Sequence, residues 1–483
     1  MKQCTLVIKD QVNLRFNGLE PEVRRKILEA CRYFVPYARH MPQFKLGRWD
    51  GKVAFATIGG ATFVNMLDKV LPIVIDAGYE VEIKDERPLH EFTFPEVTEG
   101  MLAHKVWPEG HVMAGQPIIL RDYQVQAIQT YLDNLQSIQC ISTGAGKTLI
   151  TAALSSLVEP YGRSIVIVPS KQLVEQTEED YINIGLDVGV LYGDRKEFGK
   201  KHTICTWQSL GALSKKNGVE FPISDVLEGV ICVMVDEVHS AKAVVLKDLL
   251  TNQFANVPIR LGLSGTIPKE DHEFMSLLVA LGPVVGEIKA CDLQDQGVLA
   301  RCEVEIFQLQ DESIDYRTYH EESDFLTTDR PRLDFIAEKC KKISETGNTL
   351  ILVERIESGK YLCEAIGDGA VFISGVVKTK DRKKEYTEVQ TAEGKIIIAT
   401  YGVASVGINI PRIFNLVLIE AGKSFVRTIQ AIGRGIRKAA DKDFVQIYDV
   451  TSSCKFSTRH LTKRKGFYKE ANYPARMNKV KYK

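Results

Sequence analysis

The chain has 483 residues, 45% of them hydrophobic and 26% charged, so it is neither wholly disordered nor fibrous and is long enough for about two to four cores. Its 62 basic residues cancel its 62 acidic ones. The cancellation is not local: Lys455–Lys483 holds 10 Lys/Arg against one Glu, and residues 1–50 hold 10 against five Asp/Glu, so the ends are basic, the centre is acidic and a polyanionic partner is not excluded.

Residues 1–88 read as a small basic α+β domain. Alternation over Thr5–Phe16 predicts a strand, and Val23, Ile27, Leu28, Cys31, Phe34 and Val35 share one helical face after Pro21. Val53–Ala56, Thr62–Asn65 and Tyr79–Ile83 are further strands, and Asp68–Ala77 is helical. Between residues 32 and 52, Arg39, Lys45, Arg48 and other cations interleave with Phe34, Tyr37, Phe44 and Trp49. Lys45, Arg48 and Trp49 are therefore candidate DNA contacts, cations for phosphate and a ring for an opened base. The competing reading puts Phe34 and Trp49 in the core beneath an ordinary charged surface. Residues 89–117, with Pro95, Pro108 and Pro117 and little periodicity, read as a linker.

From residue 118 the texture is that of an α/β fold. Apolar runs at Ile138–Ile141, Ser164–Val168, Thr203–Thr206, Val230–Val235 and Arg260–Leu263 alternate with helical stretches, as in a parallel sheet covered on both faces. The pattern restarts at Glu303–Leu309, Thr349–Val353, Ala370–Ser374, Lys395–Ala399, Asn415–Ile419 and Phe444–Tyr448. Two tandem parallel-sheet domains follow, at 118–297 and 298–455. The polar stretch Asp311–Arg330 is a candidate insertion for parting strands. Residues 456–483 read as a basic tail without periodicity, partly disordered, that acts as a DNA handle or a solubilising segment. The closest cysteines, Cys291 and Cys302, are too far apart for a zinc frame, so the ten thiols read as free in a reducing compartment. No signal-type apolar segment opens the chain. The longest uncharged run, Ile396–Pro411, falls short of the roughly 20 apolar residues that span a bilayer. A soluble, cytoplasmic protein without a membrane partner is expected.

Cys140-Ile-Ser-Thr-Gly-Ala-Gly-Lys-Thr148 lies between an apolar strand and a helix. In such a loop Thr143, Gly144, Ala145 and Gly146 turn their backbone N–H groups inward on phosphate, Lys147 reaches the β/γ-phosphates and Thr148 binds Mg²⁺. Ile141 stands where the phosphate-loop pattern has Gly, which leaves an ordinary glycine-rich turn as the alternative. Val230–Glu237 decides between them, because this apolar strand ends in two carboxylates at the edge where open α/β sheets bind ligands. Asp236 would hold Mg²⁺ and Glu237 would polarise the attacking water.

With these two motifs, the chain resembles the superfamily 2 helicases over about 118–455. Arg121-Asp-Tyr-Gln124, Ile165–Leu173, Thr203–Leu210, the DExH box Asp236–His239, Leu263-Ser-Gly-Thr266, Ile351–Glu354, Ala399–Pro411 and Gln430–Arg437 stand in that family's order. The resemblance implies two RecA-like motor domains with ATP between them, and it assigns roles. Arg121 and Gln124 read adenine, and Gly407 and Asn409 add nucleotide contacts, Asn409 replacing the Asp of many relatives. Gln430, Arg434 and Arg437 complete catalysis from the second domain, their helical spacing also allowing a merely solvated basic face. Pro169, Ser170, Thr206 and Thr400 grip the strand backbone, while His239, Ser264 and Thr266 couple that grip to the nucleotide. More narrowly, Phe44–Gly51 and Val426–Lys438 resemble a phage group of recombination and repair helicases. That implies ATP- and Mg²⁺-dependent action on forks, Holliday junctions and R-loops at single-strand/double-strand junctions, in the host cytoplasm if phage-encoded; a monomer is expected. An RNA or RNA–DNA remodeller would instead need a 2′-OH for stimulation. An ATP-gated DNA-binding protein that does not unwind would tolerate loss of Glu237.

Overall fold

A computed structural model of the chain describes residues 2–109, 113–215, 222–238, 243–268, 270–311, 316–373, 394–403, 412–422 and 442–482. It divides into two compact units, residues 1–141 with 146–287, and residues 142–145 with 288–483.

The first unit begins with β1 (Lys2–Ile8), β2 (Asn13–Asn17), β3 (Arg32–Phe34), β4 (Lys52–Ala54), β5 (Ala61–Phe63) and β6 (Tyr79–Asp85). A sheet ordered β5-β2-β1-β6 carries helices Pro21–Ala30 and Leu67–Asp76, and β3-β4 form a separate ribbon. Two sequence expectations change here. Thr5–Phe16 is a hairpin rather than one strand, because the Asp10 carboxylate accepts the N–H groups of Val12 (2.9 Å) and Asn13 (2.7 Å) and turns the chain without a glycine. The helix after Pro21 stops at Ala30, so Phe34 belongs to β3.

This small domain does not own its core. Leu6, Leu14, Phe16, Ile27, Val70 and Val74 share one cluster with Met275 and Val279 of helix Asp271–Leu281. That helix is apolar on two faces, one toward the motor sheet and one toward the small domain. Polar ties reinforce the seat: Gln11 N–H donates to Ala255 O (3.0 Å) and Asn13 Nδ2 to Thr251 O (2.8 Å). The expected linker also packs into this unit between Phe92 and Leu102. Val97 and Leu102 are buried, Tyr161 exchanges hydrogen bonds with the Thr93 backbone, and Phe92 and Phe94 meet Tyr161 edge-on.

The motor sheet of this unit is ordered β10-β9-β11-β8-β12-β13-β7-β14. Its strands are β7 (Gln136–Ile141), β8 (Arg163–Val168), β9 (Val188–Tyr192), β10 (Arg195–Lys196), β11 (His202–Thr206), β12 (Val230–Asp236), β13 (Ile259–Ser264) and β14 (Val284–Ile288). The pairs from β9 through β11, β8, β12 and β13 to β7 are parallel. Arg260, fully buried on β13, donates to the carbonyls of Leu250, Phe254 and Ala280 and ties the supporting helix to the sheet. Burial lowers its pKa to about 9, so it remains a cation at neutral pH.

Among its described residues the second unit carries seven strands: β15 (Arg301–Leu309), β16 (Thr349–Val353), β17 (Ala370–Ile373), β18 (Ile396–Thr400), β19 (Asn415–Ile419), β20 (Phe444–Ser452) and β21 (Ala475–Val480). They run parallel in the order β17-β18-β16-β19-β20-β15-β21. The basic C-terminal segment corrects an expectation: it is not a disordered tail. Lys455–Glu470 is a helix, and β21 extends the sheet beside β15. Its Arg464 is fully buried, where Nε and Nη2 each donate to the Asp449 carboxylate at 2.9 Å, and Tyr468 donates to the same group at 2.7 Å. Leu461 and Tyr468, seven residues apart and thus on one face, complete the inward stripe.

Removing Arg464 strands Asp449 in the core. Arg464→Met is expected to lower stability by about 3–5 kcal/mol in urea unfolding, whereas a change of less than about 1 kcal/mol would class this helix as a surface appendage.

Candidate nucleotide site and nucleic-acid contacts

The phosphate loop connects β7 to helix Lys147–Val158. Ile141, the residue that departs from the usual pattern, is the last of β7 and wholly buried, so the strand continues to the position where that pattern has Gly. The turn is made by Gly144 (φ +88°) and Gly146 (φ +80°), both in the left-handed region that disfavours other residues. Gly146 is needed for space as well. A Cβ there would stand 2.5 Å from Gln124 Nε2.

Gln124 is itself fixed. Its Oε1 accepts the Arg121 N–H (3.0 Å) in a capping box that opens helix Asp122–Asp133, and its side chain is buried. The fold brings Gln124, which the resemblance assigns to adenine with Arg121, against the loop at Gly146.

Lys147 begins its helix 10% exposed and reaches β12, where Nζ lies 2.6 Å from Glu237 Oε1 and 3.8 Å from Asp236 Oδ1. Glu237 adopts φ +53°, rare for a side-chain-bearing residue, and its N–H donates to Asp236 Oδ1 at 2.9 Å. That backbone turn aims both carboxyls at Lys147. Burial pushes the Asp236 carboxyl up to about 6; the Lys147 cation opposes that rise and the neighbouring Glu237 adds to it. Thr148 sits half-buried one residue after Lys147. One cation thus holds two acids at the end of a buried strand.

The predicted strand contacts are placed along the carboxyl edge of the same sheet. Ser170 caps helix Lys171–Asn183 by accepting the Leu173 N–H (3.3 Å), Thr206 Oγ1 accepts from Ser209 N (3.3 Å), and Gln208 Nε2 donates to Pro169 O (3.4 Å). Pro169, Ser170 and Thr206 are therefore neighbours, brought together by the β8–β11 pairing. In the coupling motif Ser264 Oγ donates to Thr266 O (2.6 Å), while buried Thr266 Oγ1 has no hydrogen-bond partner among the described residues. Thr400 ends β18 in the second unit. In the small domain Lys45 and Arg48 are exposed, and Trp49 Nε1 donates to Lys52 O (2.9 Å). Phe34, with Phe44 edge-on at 6.2 Å and Arg39 over its ring at 5.6 Å, is 37% exposed rather than core. His239, Gly407, Asn409, Gln430, Arg434 and Arg437 lie outside the described residues.

Comparison with known proteins gives the family. The family described as "Type III restriction enzyme, res subunit" matches residues 117–269, and "Helicase conserved C-terminal domain" matches 332–439, together more than half of the chain. The chain is 24% identical to the ATP-dependent DNA helicase uvsW of Enterobacteria phage T4, over 90% of this chain and 88% of that protein. It is also 24% identical to the DNA 3'-5' helicase XPB of Kineococcus radiotolerans, over 74% of this chain and 64% of that one. Among solved structures, a fragment of an HsdR subunit of a type I restriction enzyme from Vibrio vulnificus shares the fold, with a TM-score of 0.56 and 17% identity over 89% of this chain and 78% of that one. The phosphate loop, the strand-end acid pair and these two matched domains together place the chain in superfamily 2, among the ATP-dependent DNA helicases.

Proposed function

We propose that this helicase remodels branched DNA, unwinding or migrating forks and junctions, with the small N-terminal domain holding one arm while the motor pulls another. The observation that carries this reading is the shared core between the small domain and helix Asp271–Leu281. It fixes a surface bearing Lys45, Arg48 and Trp49 to the body that also bears Pro169, Ser170 and Thr206. A plain strand tracker needs one grip. Two grips on one rigid body suit a substrate with two arms.

In the proposed cycle MgATP displaces the Lys147 ammonium from Glu237 onto its phosphates. Thr148 and Asp236 would hold a Mg²⁺ ion, which would neutralise charge on the phosphates. Glu237, freed of its cation, orients the attacking water. Gln430, Arg434 and Arg437 stabilise the transferring phosphoryl group, and Gln124 with Arg121 positions the base. The unused hydroxyl of Thr266 supports a role for Ser264–Thr266, with His239, in passing nucleotide state to the strand grip. Thr400 and Ser170 contact phosphates without reading sequence.

The test is ATP- and Mg²⁺-driven unwinding of matched fork, four-way junction, R-loop and plain duplex substrates. Branched substrates should react about tenfold faster than plain duplex, and Lys45→Ala/Arg48→Ala/Trp49→Ala should erase that preference while leaving single-strand-stimulated ATP hydrolysis within about twofold. Equal rates on all four would refute the branched-DNA reading. Glu237→Gln should lower ATP hydrolysis about a hundredfold or more; a variant that hydrolyses normally would remove Glu237 from the chemistry.

Acidity provides a separate check. Below about pH 6 Asp236 is protonated in the free enzyme and cannot hold Mg²⁺, so kcat/KM for ATP should fall as pH drops through about 6. The folded-state value lies above the unfolded one, so taking up that proton favours the fold and activity falls without unfolding at this site. A limb far below that pH would show Asp236 to be ionised without effort.

A further inference from the structure

The second unit carries an arrangement at the carboxyl edge of its sheet that the nucleotide cycle leaves unused. Helix Tyr319–Thr328, in the stretch expected as an insertion, starts beside the first turn of helix Lys455–Glu470. The Tyr319 ring centroid lies 5.1 Å from that of His460, 6.0 Å from His320 and 6.3 Å from Phe456. Arg459 stands 5.7 Å and Lys455 Nζ 5.9 Å from the Phe456 ring. The cluster faces outward: Tyr319 is 40% exposed, His320, Lys455 and Arg459 are exposed, and Phe456 and His460 are half-buried.

The scaffold beneath is rigid. Buried Glu322 accepts the N–H groups of Phe456 (2.9 Å) and Ser457 (2.6 Å), joining the two helix starts through one carboxylate. Ser457 Oγ donates to Glu420 Oε2 (2.7 Å), and Glu420 pairs with buried Arg332 (2.6 Å). Glu322 and Glu420 below the rings are thus occupied by backbone N–H groups, a hydroxyl and a guanidinium, while Lys455 and Arg459 stand exposed beside the rings. Glu354 and Glu420 line the hollow under the cluster and follow β16 and β19 directly. Thr400, the proposed phosphate contact, pairs with Val353 at the end of that same β16.

We propose that Tyr319, His320, Phe456 and His460 form a stacking platform for unpaired bases of single-stranded DNA, with Lys455 and Arg459 holding the flanking phosphates. Rings supply a face that any base can use, and neighbouring cations follow the backbone, so the platform grips without reading sequence. It belongs to the second motor body and moves with it. The inference rests on the reading of this chain as a DNA motor.

Fluorescence anisotropy with a dye-labelled oligothymidine and an abasic oligomer of the same length, each about 20 nucleotides long, separates bases from backbone. The unmodified protein should prefer oligothymidine by about fivefold or more. Tyr319→Leu/Phe456→Leu should lose that preference while its affinity for the abasic oligomer stays within about twofold, and Tyr319→Phe should keep it. If the double variant melts early, Tyr319→Ser at this exposed ring gives the same comparison. No base preference in the unmodified protein, a preference retained by the double variant, or equal loss for both oligomers would overturn the platform. A protein that binds neither oligomer, and whose ATP hydrolysis is not stimulated by DNA, would instead overturn the motor reading.

Discussion

The first motor domain is organised around an ammonium group held by two carboxylates. Lys147 and the Asp236–Glu237 pair come from different elements, and neither set is stable in a buried strand end without the other. The loop must therefore bring the start of its helix to the end of β12, which Gly144 and Gly146 allow by turning in the left-handed region. Glu237 must leave the strand direction, which it does at φ +53°. In the proposed cycle this contact is the one that a triphosphate replaces, its anionic oxygens taking the place of one carboxylate on Lys147.

Two other buried cations work differently. Arg260 is compensated by carbonyls and Arg464 by Asp449, and neither faces a ligand. They join secondary elements that a motor must keep rigid. Arg260 anchors the helix on which the small domain is seated. Arg464 anchors the last helix to the second sheet and donates to Gly422 O at 2.7 Å, the last described residue before the segment that contains Gln430, Arg434 and Arg437.

The nucleotide motifs were legible in the sequence because each is local: an apolar run, a glycine turn and a helix for Lys147, or a run ending in two acids for Glu237. The parallel sheets were legible for the same reason. β9 was missed because Gly189 interrupts its apolar run, and the structure explains the glycine: a Cβ there would stand 2.0 Å from Glu197 O. The charges of the C-terminal segment suggest solvent, and only the fold reveals that Arg464 has a buried acid to meet. The seat of the small domain depends on helix Asp271–Leu281 having two apolar faces, and a continuous apolar helix does not announce which partner covers the second face. The ring cluster joins residues from opposite ends of the second unit, a juxtaposition that spacing in the chain does not encode.

The contact of Lys147 with Glu237 is the point at which the account is most exposed. A crystal structure with a non-hydrolysable ATP analogue and Mg²⁺ measures it directly. The expected result is Lys147 Nζ on the phosphates and away from Glu237, with Asp236 and Thr148 beside the metal. Nucleotide bound elsewhere, with Lys147 still seated on Glu237, would show the acid pair to be a structural clasp and not the site of hydrolysis.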